Sequence, residues 1–88
     1  MKLLTETKMF EGEQYYLVSI EYDPIWKKRE LWTKMDDWCW DQLGPRAINN
    51  WPRNNDRWLA NNQAFWFKNA ADRTMFILKW AQYEDPNT

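Results

Sequence analysis

Five residues between positions 46 and 58 have the types and spacing for recognition: Arg46, Trp51, Arg53, Arg57 and Trp58, interleaved with asparagines. A guanidinium holds a carboxylate or phosphate through two parallel N–H bonds, and an indole face fills an apolar pocket or stacks on a base. Trp and Arg are also the side chains that most often dominate protein interfaces. Against this stands a plainer assignment, in which Ile48 and Trp51 pin the loop to the core and the arginines are solvated or pair with the acidic helix before it.

Catalysis has fewer materials. The chain has one cysteine, Cys39, and no histidine. That excludes Cys–His and Ser–His pairs, the usual Cys/His zinc sites and an intramolecular disulfide, and a reducing, cytoplasmic setting is the default expectation. Asp37 and Asp41 are one helical turn apart and Asp36 is adjacent, but with no supporting Lys or His they read as a solvated acidic face. Two glycines cannot build a phosphate-cradling loop. The expectation is a protein that is not an enzyme and holds no metal or cofactor.

The element that must position these groups is a long helix over residues 23 to 44. Asp23 caps its start and Pro24 fits the first helical position, while Gly44 and Pro45 end it. It carries four of the eight tryptophans. At 100° per residue, Ile25, Trp32, Cys39 and Leu43 fall within about 40° of one another, flanked by Met35 and Leu31. Trp38 lies at the edge of this stripe, Trp40 flanks its other side, and Trp26 points among Glu30, Thr33 and Asp37. Trp26 and Trp38 therefore join the five loop residues as candidate partner-binding groups.

Residues 3 to 10 and 14 to 22 read as strands joined at Glu11-Gly12-Glu13, with Tyr16, Val18, Ile20 and Tyr22 as the core face of the second. Residues 44 to 57 read as a long loop, more often functional than merely connective in so short a chain. Residues 58 to 60 and 63 to 68 suggest a second hairpin turning at Asn61-Asn62, with Phe65 and Phe67 on one face and Trp66 on the other. Asn69 and Asp72 have the spacing of a capping box. The helix they open runs to about Tyr83 and is expected to bury Thr74, Ile77, Leu78, Trp80 and Ala81, with Met75 and Phe76 on its flanks. Residues 84 to 88 read as a frayed tail. The order ββαββα predicts a single α+β domain, a two-layer sandwich whose antiparallel sheet of three or four strands is covered by two helices.

The segment from Phe65 through Trp66, Phe67 and Asp72 to Phe76, Leu78 and Trp80 resembles the strand-to-helix ending of many small uncharacterised bacteriophage proteins. The likeness covers about 16 of the 88 residues. It implies a phage origin and transfers no catalytic residue.

The net charge is −1, with a surplus of acids before residue 44 and of bases between 44 and 73. No global positive field draws in nucleic acid or an anionic membrane. The N-terminus turns polar too soon for a signal peptide, and no apolar run approaches the roughly 18 residues needed to span a bilayer. Tryptophan is over-represented for so small a core, so some indole surface is left for association. The leading expectation is a cytoplasmic, non-enzymatic protein that binds and modulates or occludes another protein, host or self, with a homodimer as one form. The alternative is single-stranded nucleic acid binding, with Tyr15, Trp58 or Trp66 as stacking platforms and the loop arginines tracking phosphates.

Overall fold

The structure is a computed structural model that describes residues 2–21, 25–46, 57–61 and 64–83, apart from the side chains of Ile25 and Trp26. The proposed Asp23-Pro24 start, the middle of the 44 to 57 loop and the tail lie outside these residues. The elements are β1 (Lys2–Phe10), β2 (Glu13–Glu21), α1 (Ile25–Leu43), β3 (Trp58–Ala60), β4 (Ala64–Phe67) and α2 (Ala70–Trp80). They form the expected α+β arrangement, with four strands in the order β1-β2-β4-β3 and every neighbouring pair antiparallel.

The first hairpin turns on two residues, Glu11 (φ +50°) and Gly12 (φ +83°). Positive φ at both central positions is the turn whose twist matches the strands it joins, and it sets an unbroken register from Lys2–Glu21 to Phe10–Glu13. The second hairpin docks β4 beside β2, pairing Val18 with Phe65 and Tyr16 with Phe67 on one face, Leu17 with Trp66 on the other. Both helices lie on the phenylalanine face, so Trp66 belongs to the face without helices.

α1 buries Leu31, Met35, Cys39 and Leu43, one residue per turn. Trp32 flanks this stripe rather than sitting in it, and its ring leans on Phe65 with centroids 4.3 Å apart. Gly44 (φ +89°) closes the helix, its N–H donating to the Trp40 carbonyl at 3.0 Å.

α2 departs from the expected orientation. Its buried residues are Asp72, Phe76 and Trp80, while Thr74, Leu78 and Ala81 face outward and Ile77 is half-buried. The cause is that α2 carries apolar side chains all round, so its own pattern does not choose a side. Register chooses: pairing with β2 aims Phe65 and Phe67 at the helix, and Phe76 meets them at centroid distances of 5.0 and 5.4 Å. An aromatic pair one turn apart buries more area there than Leu78 with Thr74 and Ala81 would. The capping box is also not formed. Asn69 occupies the cap position with no side-chain cap bond, and its carbonyl instead accepts from the N–H groups of Asp72 (3.1 Å) and Arg73 (3.3 Å).

Candidate functional site

Each recognition residue that the structure describes has a partner within the chain. The Arg57 guanidinium donates to both carboxylate oxygens of Asp72, Nη2 to Oδ1 at 2.6 Å and Nε to Oδ2 at 3.1 Å. These bonds hold the guanidinium charged even more firmly than usual. Asp72 is the one buried acid among the described residues, and Arg57 supplies its counter-charge from the half-exposed end of β3. Arg46 donates from Nη1 to Oδ1 of Asp36 on α1 at 3.1 Å. Both arginines thus answer internal acids.

Trp58 does not present an indole to a partner. It is wholly buried, stacks on Phe65 at 6.2 Å, and donates from Nε1 to the Gly44 carbonyl at 2.8 Å. That bond satisfies a carbonyl at the end of α1 and ties the helix to β3 across the long loop. Trp38 is half-buried between the helices, edge-on to Phe76 (6.1 Å) and Trp80 (6.3 Å). Trp51, Arg53 and the Trp26 side chain lie outside the described residues.

The stacking platforms fare similarly. Tyr15 and Trp66 are neighbours on the helix-free sheet face, 6.1 Å apart and tilted by 57°. Tyr15 is buried, however, together with Leu17 and Ala64, and its hydroxyl donates to Glu13 Oε2 at 2.9 Å. Desolvation, followed by the Glu13 interaction, pushes the phenol up to about 12. Lys8 stands over Trp66 with its amine 5.8 Å from the ring centre. A base would have to displace these covers to stack there.

Among the described residues no group of three His, Cys, Asp or Glu side chains is placed to hold a metal ion, and no helix is long and apolar enough to cross a membrane. Cys39 lies in the core, where burial, then the nearby Asp36 and Asp72 charges, pushes the thiol well above its ordinary range. Its alkylation by iodoacetamide at pH 8 should run on the order of a hundredfold or more slower in the native protein than in urea. Equal rates, followed by mass spectrometry, would place the thiol at the surface instead.

Comparison with known proteins finds no match to a family model, a curated protein or a solved structure. Function must therefore be read from the surface itself.

Two surfaces stand out. The outward side of α2 carries Ala70, Ala71, Thr74, Met75, Leu78 and Ala81, with Leu78 67% and Met75 37% exposed. No charged side chain interrupts it: Asp72 points inward, Arg73 crosses Tyr16 to reach the Glu6 carbonyl at 3.2 Å, and Lys79 stays at the margin over Trp80. The second surface is β1, exposed along its length except at Leu3, with Leu4, Met9 and Phe10 among the exposed large apolar side chains of the described residues. Trp40, half-exposed on α1, is a separate single indole. The pattern of α2 alone assigns Leu78 to the core and Met75 to its flank, so neither reads as a surface group. The available signal was that α2 has only three charged residues, so one of its two apolar sides had to remain open.

Proposed function

We propose that this chain is a non-enzymatic protein-binding module whose docking surface is the outward face of α2. One observation carries the reading: that face is uncharged over three turns and apolar but for Thr74 and the terminal Gln82, on a helix whose opposite face already fills the core. Exposing Leu78 and Met75 to water has no structural benefit within the chain, whereas a partner's apolar groove would remove both from solvent. The small residues Ala70, Ala71, Thr74 and Ala81 around them let another backbone approach closely, leaving Leu78 and Met75 as anchors. Arg46 and Arg57 keep the fold in this reading. The likeness of residues 65 to 80 to the endings of small bacteriophage proteins extends it: the partner would be a host protein, met in the host cytoplasm and occluded by the helix.

The test is comparative capture from a lysate of the source cell. A protein retained by the wild type and by Arg46→Ala should fall about tenfold or more with Leu78→Glu, the effect of losing an interface anchor. Circular dichroism and the urea midpoint should stay close to wild type, since Leu78 contributes little to the core. Equal capture by Leu78→Glu would remove α2 as the docking face.

A further inference from the structure

β1 is the outer strand of the sheet, nine residues long, with no proline and no bulge in its register. Proline and bulges are two of the devices that keep an edge from pairing; a third, edge charge, is present here as Lys2, Glu6 and Lys8, of both signs. The two-residue turn makes Phe10–Glu13 the closing hydrogen-bonded pair. Alternation then commits the N–H and C=O groups of residues 2, 4, 6, 8 and 10 to β2. Leu3, Thr5, Thr7 and Met9 direct theirs outward, at an edge that no other strand of the described residues occupies.

We propose that this edge pairs with the same edge of a second copy, antiparallel about a two-fold axis at Thr7, joining two four-stranded sheets into one of eight strands. The occupant is argued from complementarity. A two-fold perpendicular to the sheet keeps each face on its own side, so even residues meet even and odd meet odd. Centred on Thr7, the outward groups of Thr5, Thr7 and Met9 meet those of the partner's Met9, the partner's Thr7 and the partner's Thr5. On the helix-free face Glu6 lies opposite the partner's Lys8, and Leu4 opposite the partner's Phe10, each contact occurring twice. Leu4 (38% exposed) and Phe10 (47% exposed) would cover one another, and two ion pairs would flank the axis.

Other registers fit less well. Centring on Thr5 sets Lys2 against the partner's Lys8, and centring on Glu6 or Lys8 sets like charges together at the axis. Centring on Leu4 matches Lys2 with the partner's Glu6 but spans only five residues and leaves Phe10 and Met9 in water. A strand from a foreign protein would meet the same backbone groups without these reciprocal pairs. The dimer uses a surface separate from α2, so either proposal can fail without the other.

Sedimentation equilibrium on the full chain over a wide concentration range tests it. The wild type should dimerise. Glu6→Lys should raise the dissociation constant about tenfold or more, since two attractive pairs become two repulsive ones. Adding Lys8→Glu to that variant should restore wild-type affinity within about threefold, because only the Thr7 register opposes these two positions. Thr7→Pro removes an outward N–H that β2 does not use and should give a monomer. A wild type that is monomeric throughout would overturn the proposal, as would a dimer unaffected by Glu6→Lys or a double variant that stays dissociated. Should Thr7→Pro fail to fold by circular dichroism, the charge reversal and its compensation decide alone.

Discussion

Phe76→Ala should lower the free energy of unfolding by about 3–5 kcal/mol, while Leu78→Ala, two residues away on the same helix, should change it by about 0.5 kcal/mol or less. Phe76 is fully buried and its ring lies within reach of Phe65, Phe67, Trp38 and Trp80. Truncating it removes the contact through which α2 grips both the sheet and α1, and the rigid aromatics around the gap cannot collapse into it. Leu78 already faces water, so its truncation exposes nothing new. A domain of this length has a total stability of roughly 4 to 13 kcal/mol, so Phe76→Ala should approach global unfolding at room temperature. Urea denaturation followed by tryptophan fluorescence measures both. The opposite order, with Leu78→Ala the costlier change, would mean that α2 is turned the other way round.

The second large effect is expected at Arg57. Replacing it with Ala leaves the Asp72 carboxylate, 6% exposed, without its bidentate partner, at an expected loss of about 2–3 kcal/mol. The Arg57 side chain is itself 48% exposed, so forming the pair adds little net energy; orphaning the buried acid is what costs. Position in the first turn of α2 moderates the loss, because the free N–H groups there favour a negative charge. Asp72→Asn added to Arg57→Ala should therefore recover part of the stability by removing the charge that needs an answer. If the double variant is less stable than Arg57→Ala alone by the full effect of Asp72→Asn, the two residues act independently and the pairing argument fails. Arg57→Lys should fall between, since an ammonium cannot engage both oxygens in the same plane.

The same pair explains why the candidate site was only half legible. Arg46, Arg57 and Trp58 have the composition of a binding loop, and nothing local distinguishes an arginine awaiting a partner's acid from one already facing its own. The acids concerned are distant in the chain: Asp72 lies 15 residues from Arg57 and Asp36 lies 10 from Arg46. Trp58 likewise has the same type and neighbours whether it faces a partner or the carbonyl of Gly44, 14 residues earlier. A stripe centred near Trp32 makes Trp40 its flank; the stripe in the structure is centred on Leu31, Met35, Cys39 and Leu43, leaving Trp40 half in solvent.

Local signals determined the six elements, their order and most of their ends. Gly12 sits at positive φ in the first turn, Gly44 closes α1, and alternation over residues 14 to 21 sets Val18 and Ile20 on the face opposite Leu17. Each depends on backbone sterics and side-chain period within a few residues, which the amino-acid order expresses directly. Tertiary structure alone decided which apolar side of α2 is inside, which arginines answer internal acids, and that β1 rather than β2 forms the open edge. Apart from the Arg46–Asp36 pair at the end of α1, these follow from one non-local event, the docking of β4 beside β2. It aims Phe65 and Phe67 at Phe76, draws Asp72 in against Arg57, and leaves the far edge of β1 without a neighbouring strand among the described residues.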